Sequence, residues 1–257
     1  MADELVRERR GHVEILTINR PEARNAVNGA VSKAVGAALD ELAEDPEVWV
    51  VVLTGSGDKA FSAGMDLKAF AAGEGAAIID APGGFGGIVK RDFPKPIIAA
   101  LNGSALAGGC EIMLACDLVV AADHAKIGVP EVQRGLLAGA GALLRLPRRL
   151  PAAVAMELVV TGDPITAHRA YELGLVNRVV PYNRLMEEAM ALAGRIAANA
   201  PLAVRTSRDV LRKAAELPEE EAWPVNDAGA TVVFASADAM EGPRAFAEKR
   251  PPRWQGR

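Results

Sequence analysis

The sequence predicts an α/β protein, a parallel sheet crossed by helices and followed by a mostly helical C-terminal part. Three observations carry this. Apolar runs of strand length, such as residues 48–54 and 118–122, are what strands covered on both faces look like. They alternate with helix-length patterns as β-α-β-α-β-α-β through the first half of the chain. From Gly139 onward the pattern is helical almost throughout.

The elements follow in order. Residues 13–18 form a first strand, broken by the polar stretch Asn19-Arg20-Pro21-Glu22-Ala23-Arg24-Asn25-Ala26. Asn28 is placed to cap a helix reaching about Ala43, with Val31, Val35, Ala38, Leu39 and Leu42 along one face. Asp45-Pro46 is a turn, 48–54 a buried strand and 55–59 a second turn. Phe61-Ser62-Ala63-Gly64-Met65-Asp66-Leu67 is a strand-like run entering a helix near Ala69. Residues 73–87, rich in Gly and Ala, are expected to form a mobile loop over a site. The apolar run 96–101 is a strand that feeds the stretch from Asn102 to Asp117. A strand at 118–122, an extended piece at 125–128 and a turn at 129–131 follow. Helices are expected at 140–148, 151–160, 166–173, 183–198, 201–215, 219–235 and 239–248, with one short strand at 176–180.

Composition narrows the function classes. A chain of 257 residues, half of them hydrophobic, can bury a sizeable core, and with only 4% aromatics that core is built of Ala, Val, Leu and Ile. A net charge of -4 gives no reason to expect nucleic acid. No apolar run reaches the roughly 18 residues of a membrane span, and the first residues mix acids with bases where a signal peptide would be apolar. Cys110 and Cys116 are expected to be reduced and buried. A cytoplasmic protein with neither membrane nor nucleic-acid partner is the expectation.

Several motifs fail. Gly103-Ser104-Ala105-Leu106 is not a nucleophile elbow, and the glycines from Gly83 to Lys90 lack the ending of a P-loop. Gly139-Ala140-Gly141 has no third glycine in register and follows no clear strand, so a dinucleotide fingerprint is not expected. His12, His124 and His168 are scattered without ligand spacing, so no metal site is expected.

The centre of interest is Asn102-Gly103-Ser104-Ala105-Leu106-Ala107-Gly108-Gly109-Cys110-Glu111. A strand ending in glycines that open a buried helix aims bare backbone N–H groups outward. One charge, Glu111, sits in the apolar run that follows, where a carboxylate is costly unless paired, solvated or protonated. The same residues also suit close helix–sheet packing with Glu111 on a wet face. Phe61 to Leu67 can present a second amide, that of Met65, and Glu131 follows a proline in a separate turn. Two amides converging on one oxygen stabilise negative charge, and two carboxyls in one cleft can share acid and base work.

Taken together, the segments Asn19 to Ala26, Phe61 to Leu67, Asn102 to Glu111, Gly128-Val129-Pro130-Glu131 and the tail Glu241-Gly242-Pro243 to Arg250 resemble the enoyl-CoA hydratase/isomerase (crotonase) superfamily, in that family's order. The resemblance implies an α/β fold with a repeated ββα spiral core, here 1–195 with the acyl-CoA site. It also implies a C-terminal helical region, here 196–257, used for oligomerisation into a trimer or dimer of trimers. It implies an oxyanion hole from Met65 and Gly108 and acid/base duty for Glu111 and Glu131. Coenzyme A contacts would come from Ala23, Arg24, Ala63, Asp66 and Lys68, with Phe246 and Lys249 completing the site from the tail. No cofactor is implied, since CoA is part of the substrate. The loop Pro82-Gly83-Gly84-Phe85 and the tail Trp254-Gln255-Gly256-Arg257 look like the carnitinyl-CoA dehydratase branch, while Ala138 to Arg145 departs from the usual hydratase run beside the acyl pocket. The expected activity is hydration of a 2-enoyl-CoA. Carnitinyl-CoA dehydration, Δ3-Δ2 isomerisation and acyl-CoA binding without turnover are the alternatives.

Overall fold

The computed structural model describes residues 3–257. Among the described residues, ten strands divide between two sheets. β1 (Leu5–Arg10), β2 (Val13–Ile18), β3 (Val50–Gly55), β5 (Ile97–Leu101), β7 (Leu118–Ala122) and β10 (Arg178–Val180) form the large sheet, in that order. All its pairings are parallel except β1 with β2. β4 (Ala60–Ser62), β6 (Ser104–Leu106), β8 (Lys126–Gly128) and β9 (Ile165–Thr166) form the small sheet. From β3 to β8 the chain thus lays one strand in the large sheet, the next in the small one, and then crosses back.

β1 is absent from the sequence reading, and its composition explains why. Leu-Val-Arg-Glu-Arg-Arg carries no strand-like apolar pattern and is mostly exposed. It pairs by charge, Arg7 and Arg9 both holding the buried Glu14 of β2 at 2.9 and 3.0 Å. A charged edge also protects the sheet from pairing with another chain.

The central strands are buried on both faces. Alternate residues of β3 serve two cores: Val50 and Val52 face Leu185, Ala189 and Ala193 of α8 (Leu185–Ala197), while Val51 and Leu53 face the main core. The main core includes Val31, Val35, Leu39 and Leu42 of α1 (Gly29–Glu44), whose cap Asn28 accepts the Val31 amide at 2.9 Å. Truncating Leu39 to alanine there should cost roughly 2–5 kcal/mol.

The remaining helices are α2 (Leu67–Ala69), α3 (Gly75–Ile79), α4 (Gly108–Ala115), α5 (Ala142–Arg149), α6 (Ala152–Thr161), α7 (Ala167–Glu172), α9 (Pro201–Ala214), α10 (Glu219–Phe234) and α11 (Ala237–Ala247). α9 packs chiefly on α10. It is tied to the core by Arg208 and Arg212, both paired with Asp117 at 2.8 and 3.2 Å.

The segment expected to be a mobile loop carries secondary structure in its first half and is buried toward its end. A π-helical stretch, Phe70–Glu74, runs into α3, and Gly84 to Val89 are buried. Its glycines serve close approach: a Cβ on Gly87 would lie 2.4 Å from the Ser32 carbonyl oxygen of α1. Cys110 and Cys116 are free and buried, as expected.

Candidate active site

The site forms where β4 and β6 end. After β4, the Gly64 carbonyl accepts the Val27 amide and the Asp66 amide donates to Val27, at 2.8 and 2.9 Å. This ladder fixes the Gly64–Met65 turn against the entry to α1. The Met65 amide is left without a hydrogen-bond acceptor. After β6, Ala107 takes φ 52 and ψ -129 before α4 begins, and its amide donates to the Gly128 carbonyl at 2.9 Å. An alanine seldom adopts this conformation, and here it turns the Gly108 amide outward, again with no acceptor.

The two turns touch. A Cβ on Gly64 would lie 2.8 Å from the Gly108 nitrogen, and one on Gly109 would lie 2.1 Å from the Ser62 carbonyl oxygen. Phe85 covers the other side: a Cβ on Gly108 would meet its ring at 2.5 Å. Only glycine permits this approach of α4 to β4 and Phe85. Two neighbouring unpaired amides, one at a helix N-terminus, suit an oxygen that gains negative charge.

Glu111, one turn into α4, is buried, and Oε1 accepts the Ala142 amide at 3.0 Å. It therefore sits at the N-terminus of α5 and not on a wet face. Burial pushes its carboxyl above the ordinary value, opposed by the amides of Ala142 and Ala140 and by the charge of Arg145. Glu131 lies in the 3-10 turn Pro130–Arg134 after β8. β8 pairs with β6, and so belongs to the small sheet that carries Gly108. Its Oε2 is buried without a partner. Burial, together with the charge on Glu111, pushes Glu131 up to about 7, against its own backbone amide and Arg134. The two acids are thus in electrical contact but differently held.

The other expected site residues lie around this centre. A cavity of about 550 Å³ is lined by Arg24, Ala63, Leu106, Lys59, His124 and Tyr182, among others. It includes neither glutamate, yet Ala63 stands two residues before Met65 and Leu106 two before Gly108. Ala23 and Arg24 close the 3-10 turn Pro21–Ala23, with Arg24 at φ 54 and its carbonyl accepting the Ala63 amide at 3.0 Å. Lys68 is exposed in α2. Asp66 caps that helix through the Lys68 and Ala69 amides, and its other oxygen pairs with Arg20 at 2.9 Å. Phe246 and Lys249 are exposed at the end of α11 and do not line the cavity.

Four residues that shape the site have no role that the sequence alone assigns. Arg20 holds Asp66 and donates to the Ala26 carbonyl at 2.6 Å. Asn25 and Asn102 are buried and both donate to the Ala60 carbonyl, at 2.7 and 2.9 Å, joining three loops. Phe85 covers Gly108. The signals were present as an Arg-Pro pair, buried asparagines and one aromatic among glycines, but each needs its partner to be meaningful.

Fold and site together define a class: a spiral of ββα units presenting two free amides beside two unequal carboxyls. Comparison supplies the family. Residues 8–257 match the family model described as Enoyl-CoA hydratase/isomerase, and the chain belongs to that family. It is 43% identical over 262 residues to a carnitinyl-CoA dehydratase of Salmonella typhi, covering all of both chains. It is similar to the crystal structure of an enoyl-CoA hydratase from Mycobacterium tuberculosis, with TM-score 0.95, 47% identity and 99% and 100% coverage of the two chains. It is also similar to a carnitinyl-CoA hydratase from Mycobacterium avium, with TM-score 0.81, 51% identity and full coverage of both. No helix among the described residues is long and apolar enough to cross a membrane.

Proposed function

We propose that this protein adds water reversibly across the 2,3 double bond of an enoyl-CoA thioester. The carrying observation is the pair of carboxyls held differently: Glu111 by a backbone amide at a helix N-terminus, Glu131 with a buried oxygen that has no partner. The Ala142 amide favours the Glu111 carboxylate against the burial that raises that carboxyl, while no hydrogen bond opposes burial at the unpartnered oxygen of Glu131, which favours the carboxylic acid.

The thioester carbonyl oxygen lies in an oxyanion hole formed by the amides of Met65 and Gly108. Glu111 removes a proton from water as its oxygen bonds to the β carbon. The double-bond electrons move to the α carbon and thioester oxygen, and Glu131 protonates the α carbon. Glu111 ends protonated and Glu131 ionised, and exchange with solvent restores both. The two carboxyls and water supply every proton, so the scheme needs no metal or redox cofactor.

CoA occupies the cavity below the amides. Lys68 meets its phosphates, Arg24 with the backbone of Ala23 and Ala63 forms the CoA and adenine pocket, and Asp66 orients the turn that carries Met65 and Lys68. Phe246 and Lys249 reach the site of a neighbouring subunit in a trimer or dimer of trimers. The exposure of Phe246, at 86%, supports a covered position in an assembly. Binding of the remote CoA positions the reacting carbons.

A second reading, dehydration of a carnitinyl-CoA, is favoured by likeness to the Salmonella and Mycobacterium avium proteins. We rank it second because a quaternary ammonium calls for an aromatic surround and aromatics make up only 4% of the chain. Steady-state hydration of crotonyl-CoA, longer and branched 2-enoyl-CoAs, and crotonobetainyl-CoA in parallel decides between them. The general reading requires the simple enoyl-CoAs to have the higher kcat/KM. Turnover of crotonobetainyl-CoA alone would replace it with the second reading.

A further inference from the structure

Arg145 is a half-buried cation without a carboxylate hydrogen-bonded to it. It lies in the first turn of α5, and its guanidinium donates to two carbonyls, Ala140 at 3.3 Å and Val89. It folds back over the turn before its own helix. A Cβ on Gly141 would lie 2.2 Å from Nη1, and Gly141 itself has φ 114. That turn delivers the Ala142 amide to Glu111. Val89 belongs to the buried segment that places Phe85 over Gly108. One side chain therefore joins the turn that holds Glu111 to the segment that covers Gly108.

We propose that Arg145 is a positioning residue for hydration, fixing Glu111 and the cover of Gly108 in one rigid unit and serving as the counter-charge of Glu111. This rests on the reading of Glu111 as the base that activates water.

The charges around the pair support it. A guanidinium remains protonated in a protein interior. Burial, then Arg149 and Arg212, work against the Arg145 charge, while Glu111 and Cys116 favour it. Cys116 is pushed up to about 12 by burial and carries no charge at neutral pH. Glu111 is then the remaining anion of this pair. In turn, Arg145 is the cation that favours ionised Glu111. The other titratable groups around Glu111 are Cys110 on its own helix, held protonated by burial, Glu131 after β8, and Arg149 of α5, which donates to the Cys116 carbonyl at 3.2 Å. β4 and β6, packed on the same helix, carry only Ser62 and Ser104 as polar side chains, and the segment Phe85–Gly87 carries none.

The test is hydration of crotonyl-CoA from pH 5 to 9 by the full-length chain, as wild type, Arg145→Met, Arg145→Lys and Glu111→Gln. Arg145→Met should lose roughly 10- to 100-fold in kcat with KM within about threefold. Removing a cation that favours the carboxylate raises the carboxyl's pKa, so the acid limb of kcat/KM should move to higher pH. Arg145→Lys keeps the charge but not the two-carbonyl reach. It should return the acid limb toward wild type while kcat stays reduced, and it serves as the readout if Arg145→Met does not fold. A folded Arg145→Met with the wild-type acid limb, or Arg145→Lys with wild-type kcat, overturns the proposal. Glu111→Gln separates the two levels. If it is inactive while the Arg145→Met limb is unmoved, only the role of Arg145 falls. If it turns over normally, the base assignment falls first.

Discussion

Ala107 is the residue on which the site turns. Its φ of 52 is strained for an alanine, and the strain aims the Gly108 amide away from the protein's own carbonyls. Ala107→Gly should relieve it, raising stability by about 1 kcal/mol in urea unfolding with kcat within threefold of wild type. A loss of stability would show that the conformation is not strained. At the acids, Glu111→Gln and Glu131→Gln should each lower hydration kcat by at least ~10²-fold in folded protein that still binds acyl-CoA. Near-normal turnover removes that residue from the scheme. The environments also set a pH dependence. Hydration needs Glu131 protonated, and burial raises Glu131 to about 7, so kcat/KM for hydration should fall as pH rises through that value. A profile flat from pH 6 to 9 would contradict Glu131 as the proton donor.

At the scale of elements, α4 and β4 are in backbone contact at Gly109 and Ser62. No side-chain rotation can make room for a methyl group there. Gly109→Ala should therefore destabilise by roughly 1–3 kcal/mol or more and weaken turnover along with stability. A variant as stable as wild type would show that the helix can slide. The C-terminal tail is fastened differently, by charge. Glu241 accepts the Arg253 amide at 2.8 Å and binds Arg250, which also pairs with Glu248. Asp238 accepts the amides of Gln255 and Gly256. The Arg250 side chain and the Arg253 amide pull Glu241 down from 4.5 to about 2. Its contribution is thus fully present above about pH 4.5 and is lost as pH falls toward 2. Amide exchange in residues 253–257 should rise over that window, and in Glu241→Gln it should already be raised at pH 7. Equal protection in both forms would mean that other contacts hold the tail.

For the whole molecule, the exposed apolar side chains gather late in the chain. Leu211, Phe234, Met240 and Phe246 are each more than 70% exposed, while α8 is buried against the sheet. Such faces are normal for subunits that bury them against copies of themselves. Sedimentation of the intact chain should give a trimer or a multiple of it. Phe246→Asp, which removes no contact of the buried core, should lower both the assembly and the affinity for CoA. A monomer that binds CoA as tightly as the assembly would defeat the shared site.

The helices and central strands were legible from the sequence because their burial is periodic. Val50 to Leu53 are apolar on both faces, Asn28 caps α1, and the C-terminal helices fall within a few residues of where their patterns place them. Glu111 was legible as one charge in an apolar helix. What the sequence did not reveal depends on partners far along the chain. β1 is a strand because Arg7 and Arg9 find Glu14, and the end of the glycine-rich segment is buried because its glycines fit against α1 and α4. Asp66 reads as a surface acid until Arg20 is placed beside it. Likewise, Glu111 is a carboxyl of no fixed state until the α5 turn reaches it across 31 residues. Periodicity is a property of neighbours in sequence, so it determines which segments are helices and strands. Desolvation and charge pairing are properties of neighbours in space, so only the tertiary structure decided how the two acids are held and which amides were left free.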